Sequence, residues 1–170
     1  KDAADTLAAF VRQQPLHPQA PLLQARVVAI YANAGFDTLA LQAKKDHVQR
    51  YGAASEFRRA SPAGWAQAQP LVKTHLAELA QHHHALAQKT KAPADVQEAV
   101  RWYREVLQAF PGDADALQSR FLLAELLFED RQFEQATAEF ESVAYRTPGV
   151  FQPTTFARAA DAGYAGLLSL

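Results

Sequence analysis

No cysteine occurs anywhere in the chain. That excludes a disulfide framework, a thiolate zinc site and a cysteine nucleophile. Methionine is missing too, and the chain opens on Lys1. The final stretch, GYAGLLSL, stops within an apolar helical pattern. The expectation from both ends is a segment of a longer chain. A basic excess is also lacking: Lys and Arg number 17 against 18 Asp and Glu, for a formal net charge of -1. Nucleic-acid binders neutralise phosphates with such an excess, so no nucleic-acid partner is expected. No run approaches the roughly 18 consecutive apolar residues of a membrane span, and no secretory signal is visible. There is no alternating run of β-branched residues and no Asn-Gly or Asp-Gly turn, which argues against strands. Gly-rich phosphate loops, GxSxG elbows and EF-hand loops are likewise absent. The expectation is a protein that is not an enzyme and carries no cofactor.

What is present is helical periodicity. Hydrophobic residues make up 49% of 170 positions, enough to give residues 1–170 a core as one domain. Nine prolines divide the chain, and helices or helical hairpins are expected between them, because proline is tolerated only in a helix's first turn. The clearest helix runs from about Asp95 to Phe110. Val96, Ala99, Val100, Tyr103, Val106, Leu107 and Phe110 form one face of a 3.6-residue helix. Asp95 and Glu98 have capping-box spacing, and Pro111-Gly112 ends the run. Next comes FLLAELLF within Ala114 to Glu129, apolar almost all round, as a helix covered on several sides would be. A short turn, DRQ, leads into Phe133 to Arg146, and so short a link requires antiparallel packing. Pro70 starts or bends a long helix ending near Lys91, followed by the turn QKTKAPAD. From Pro153 the tail shows Phe156, Ala159, Ala160, Gly163, Tyr164, Leu167 and Leu168 on one helical face.

The pattern recurs. Phe133, Ala136, Phe140, Val143 and Pro148 stand 37 positions after Val96, Ala99, Tyr103, Val106 and Pro111. More loosely, Tyr31, Phe36 and Gly52 stand 97 positions before Phe128, Phe133 and Gly149, with Leu39, Ala43 and Tyr51 at the small, aromatic and proline places. With Ala124 and Leu127 in the preceding helix, residues 117–150 resemble a tetratricopeptide repeat, a 34-residue helix–turn–helix unit. The resemblance implies an all-α, right-handed array of antiparallel helical hairpins with about eight helices. Its hairpins fall at roughly 18–52, 62–112 and 113–149, with a partial repeat at 153–170. The sequence style is also similar to repeats of bacterial outer-membrane assembly lipoproteins, which implies a periplasmic or envelope setting.

The same resemblance implies a non-catalytic scaffold holding a partner protein or peptide in a concave groove. Carried over by position, the groove residues are Gln24, Val28, Tyr31, Gln81, His84, Phe121, Glu125 and Phe128. Phe121 and Glu125 stand where the family's chaperone-tail binders carry Lys and Asn, so an acidic C-terminal tail is not the expected ligand. Large apolar residues are buried by default, and that reading competes for Phe121 and Phe128. The alternative chemistry lies in HLAELAQHHH, where His75, His82, His83 and His84 invite a metal-dependent or metal-binding reading. Adjacent histidines on a helix diverge, however, and no HExxH accompanies them, so no metal site is expected. AKKDH, residues 43 to 47, reads as a solvated helix face. At the C-terminal end, Tyr164, Leu167 and Leu168 lack a polar capping face, and self-association through them is expected.

Overall fold

The computed structural model describes residues 2–147, 150–153 and 156–169. Those residues form nine α-helices and one short two-stranded hairpin, an all-α fold. They divide into two compact units, Lys1–Leu79 and Ala80–Leu170, with the boundary inside one long helix. Among the described residues, no helix is long and apolar enough to cross a membrane.

The first unit begins with α1 (Asp2–Gln13), a helix the proline-based division does not mark. It packs on α2 (Ala20–Asn33), which forms a hairpin with α3 (Asp37–Tyr51). Ala4, Val27, Val28 and Ala43 form the centre of this packing, with Leu7, Ala8, Ile30 and Tyr31 around it. A five-residue helix, α4 (Glu56–Ala60), follows, its Arg58 N–H capped by the Ser55 hydroxyl at 3.2 Å. Then comes α5 (Pro62–Thr90), which runs on through Pro70.

In the second unit the end of α5 is joined to α6 (Pro93–Ala109) by Lys91 and Ala92 alone. The eight-residue turn read from the sequence is mostly helix. Proline stands at the first helical position of α6, and Ala92 takes the N-cap place. Asp95 therefore lies inside the first turn, where its carboxylate accepts from the Thr90 hydroxyl at 2.6 Å. Glu98 does not cap; it accepts from Arg101 and from the Trp102 indole. Next, α7 (Ala116–Glu129) packs against α6 on one side and α8 (Phe133–Ala144) on the other, which explains its nearly continuous apolar surface.

At Tyr145 the backbone turns extended, with φ -124° and ψ 143°, and α8 ends. Two short strands, β1 (Tyr145–Thr147) and β2 (Val150–Pro153), pair antiparallel where only helix and turn are expected from the sequence. Pro148 and Gly149, which close the repeat in the sequence pattern, lie outside the described residues. The last helix, α9 (Ala159–Leu168), starts six positions after Pro153. It packs on α8 through small residues. A β-carbon at Gly166 would sit 3.6 Å from Phe140 Cβ, and one at Gly163 would sit 3.3 Å from the Tyr145 hydroxyl.

The two hairpins α2–α3 and α7–α8 close by the same turn. In the first, Gly35 N–H donates to the Ala32 carbonyl and Phe36 N–H to the Tyr31 carbonyl. In the second, Arg131 N–H donates to Phe128 and Gln132 N–H to Leu127. This is the Schellman pattern, with the residue after the C-cap left-handed: φ is +72° at Gly35 and +61° at Arg131. The two turns therefore stand 96 positions apart, one less than the spacing of Phe36 and Phe133 in the sequence. Helices α2 and α7 both have 14 residues and start 96 positions apart. In this register Ala40, not Leu39, matches Ala136. Ala40 is 5% exposed and Ala136 is fully buried, whereas Leu39 is 41% exposed.

The register has a direct test by thermal and urea unfolding. Ala40→Trp and Ala136→Trp should each destabilise by on the order of 1–3 kcal/mol or more, because each overpacks a close helix contact. Leu39→Trp should stay within about 0.5 kcal/mol of the parent. A Leu39 variant more damaged than the Ala40 variant would restore the 97-residue register.

Candidate partner-binding surface and the histidines

The eight groove residues expected from the sequence separate into buried and accessible sets. Gln24, Val28 and Phe121 are buried at 4%, 4% and 2% exposure and present no surface. The reasons are specific. Gln24 donates through Nε2 to the Ala43 carbonyl at 3.2 Å, a bond that ties α2 to α3. Val28 lies in the cluster with Ala4 of α1, so a helix unforeseen in the sequence covers that face. Phe121 meets Phe140 edge-on and lies 6.2 Å from the Phe156 ring, while the Arg158 guanidinium sits 3.8 Å above it. The chain's own residues thus occupy the place a ligand was expected to take.

The remaining five reach solvent to different extents. In the first unit, Tyr31 is half-buried and donates its hydroxyl to Asp5 at 3.2 Å. Burial, followed by the Asp5 carboxylate, raises its pKa. In the second unit, Gln81 is exposed, His84 and Glu125 are half-buried, and Phe128 is exposed. Glu125 lies 3.7 Å from the Arg158 guanidinium. Burial raises its carboxyl pKa against the opposing pull of Arg158. Phe128 meets Phe133 edge-on, ring centroids 5.4 Å apart, and Phe133 is exposed as well. Lys91 binds Glu129 at 3.1 Å and ties the α5–α6 turn to the end of α7, beside this aromatic pair.

The four histidines of α5 have four different surroundings. His75 faces His47 in the first unit. His82 is exposed. His83 is buried, its ring stacked on Trp102 at 6.0 Å and 16°, with Glu98 4.0 Å away. The Arg101 hydrogen bonds hold the Glu98 pKa down to about 2, against the opposing effect of burial. His84 Nδ1 lies 3.1 Å from the Tyr103 hydroxyl. Burial lowers the His84 pKa and raises that of Tyr103 to about 12. Among the described residues, no group of three or more His, Cys, Asp or Glu side chains is placed to hold a metal ion.

His47 reverses the reading of AKKDH as a solvated face. Ala43 and His47 are buried, at 5% and 0% exposure, and Lys44 pairs with Glu78 at 2.9 Å. His47 Nε2 lies 3.1 Å from the Pro21 carbonyl, which can only accept, so that nitrogen carries the proton. His47 Nδ1 is then an acceptor. It accepts a hydrogen bond from His75 Nδ1–H at 2.9 Å, across an edge-to-face contact of the two rings. One arrangement of two neutral rings satisfies all three groups, and it joins α2, α3 and α5.

No protein-family model, curated protein or solved structure matches the chain.

The histidine pair makes the first unit acid-sensitive. Burial, and then the neighbouring His75, lowers the His47 pKa to about 3; burial lowers that of His75, with Glu78 opposing and Lys44 assisting. A folded-state pKa below the unfolded value of about 6.5 means that the unfolded chain binds more protons once the pH falls under 6.5. Stability is therefore full above that pH and is lost progressively as the pH drops toward about 3, the folded-state pKa of His47. Urea midpoints between pH 7.5 and 4.5 should fall steeply for the parent and less steeply for His47→Gln/His75→Gln. Equal slopes in the two proteins would remove the pair from the account.

Proposed function

We propose that this chain is a non-catalytic scaffold of the tetratricopeptide kind, holding a partner protein or peptide against its helical hairpins. The supporting observation is the hairpin built twice at a 96-residue period, the second copy presenting Phe128 and Phe133 together at its turn. Exposed aromatic pairs on a fixed backbone suit protein recognition. They contribute large apolar contact, and little chain entropy is lost on binding. The partner surface of the second unit is Gln81, His84, Glu125 and Phe128, with Phe133 added. Tyr31 is retained for the first unit. The setting proposed is the bacterial envelope, on the resemblance of the repeat sequence.

Affinity capture with the intact chain, followed by mass spectrometry, tests this. A specific partner should be retained by the parent and reduced at least tenfold by Phe128→Glu/Phe133→Glu. Equal recovery by both proteins would overturn the surface, and no partner retained by either would overturn the scaffold.

A homotypic contact through α9 belongs to the same proposal. The face of α9 turned to the protein carries Ala159, Ala162, Gly163, Gly166 and Ser169, so of the stripe read from the sequence Ala159 and Gly163 face inward and Tyr164, Leu167 and Leu168 are left outside. Tyr164, Leu167 and Leu168 are 66%, 69% and 61% exposed. Three large side chains so exposed on one helix favour association. Sedimentation of the parent should show concentration-dependent self-association that is lost in Leu167→Glu/Leu168→Glu. A parent that stays monomeric at all concentrations would sink this contact.

A further inference from the structure

Between α3 and α5 the chain makes a detour through α4, and a cleft of about 700 Å³ opens there. It is lined by residues 53–55, Arg58, Arg59, Pro62 and Trp65, all within the first unit. Its walls are fixed. The Trp65 indole N–H donates to the Tyr51 carbonyl at 3.2 Å, which orients the ring. Beneath it, Phe57 is 1% exposed and meets Tyr51 edge-on at 5.2 Å. Gly64 lets the first turn of α5 come in close: a β-carbon there would lie 3.0 Å from the Phe57 ring and 3.2 Å from the Pro18 carbonyl.

Against this wall lies a cation held in place. Arg58 Nη1 donates to the Ala53 carbonyl at 2.8 Å, and its guanidinium sits 4.4 Å from the centre of the Trp65 ring. A guanidinium stacked on an indole and anchored by one hydrogen bond keeps its other donors for a ligand. Arg59 adjoins it in sequence, and both are exposed. Among the described residues no carboxylate lies within ion-pair distance of either; Glu56, the one acid of α4, pairs with neither. Arg101, Arg120 and Arg158, by contrast, each bind a carboxylate. The rest of the lining, Ala53, Ala54, Pro62 and the indole, offers contact to hydrocarbon.

A fixed guanidinium with a second cation beside it calls for an oxyanion, and its planar fork suits a carboxylate as it does a phosphate. The apolar walls call for a body attached to that carboxylate. We propose that this cleft docks an acidic peptide segment of a partner, its Asp or Glu carboxylate on Arg58 and Arg59 and a neighbouring apolar residue against Trp65. The proposal rests on the scaffold reading and supplies the chemistry of a partner for it.

The test is a titration of the full isotope-labelled chain, followed at the Trp65 indole N–H and Arg58 Nε signals. The probes are the capped peptide Glu-Leu-Glu-Leu-Glu, its Gln-Leu-Gln-Leu-Gln counterpart and inorganic phosphate. The acidic peptide should shift both signals saturably. Binding should weaken at least tenfold with the Gln peptide and in Arg58→Ala/Arg59→Ala, a variant whose fold is checked by an unchanged amide spectrum away from the cleft. No shift with the acidic peptide, or equal binding of the Gln peptide, overturns the proposal. Phosphate saturating the site at the same concentrations overturns the peptide assignment in favour of a small-anion site. A captured partner held equally by the parent and by Arg58→Ala/Arg59→Ala rejects this cleft while leaving the scaffold standing.

Discussion

Two antiparallel helices can approach closely only where the side chains between them are small, and the architecture depends on meeting that condition at the right positions. Ala40 and Ala136 meet it in the two matched hairpins, each nearly or wholly inaccessible to solvent. Gly163 and Gly166 meet it again where α9 lies on α8. A methyl group or a hydrogen at these points lets the larger residues on either side interlock. Tyr51, Phe57, Leu123, Leu126 and Leu127 are fully buried as a result. Interiors are packed at crystal-like density, so the small residues set the spacing and the large ones fill it.

Much of this was legible in the sequence, though unevenly. Of the α6 stripe, Val96, Ala99, Val100, Tyr103 and Leu107 are buried as its periodicity requires and Val106 is half-buried, and the all-round apolar character of α7 has its cause in helices on two sides. The one-residue error in the long period has a definite origin. Phe36 and Phe133 are both aromatic and both open a helix region, so they invite alignment, but the backbone places Phe36 at the N-cap and Phe133 one position inside. Identity of side chain and identity of place are different things at a turn. The strands after α8 were illegible because Tyr145–Thr147 carries no alternating apolar pattern; pairing is made by the backbone. The groove residues were only partly legible. Positions carried over from a repeat cannot reveal that α1 lies over Val28, or that Phe156 and Arg158 lie over Phe121.

Buried polar groups were harder still to foresee, since a polar letter reads as surface. Yet the positions were informative: Ala40, Ala43, His47, Val48 and Tyr51 follow one helical face, and all five are buried. Gln24 and His47 each satisfy a carbonyl on a neighbouring helix. Such bonds add modest net stability, but leaving either partner unmet would cost more, so they favour one register over its neighbours. Apolar packing brings α2 and α3 together in a general way, and these few polar contacts, with His75 of α5 on His47, select the alignment.

Arg131 keeps a β-carbon where Gly35 has none, in a region that disfavours side chains by roughly 1–2 kcal/mol. The hydrogen bonds on either side of it are nonetheless the same as at Gly35. The turn is therefore imposed by the capped carbonyls of the preceding helix and does not require the one residue best suited to it. What the two hairpins share is a turn with the same hydrogen bonds after a helix of the same length. Letters can differ at such a bend while its bonds hold, so the likeness of the two hairpins lies in lengths and bends more than in the alphabet.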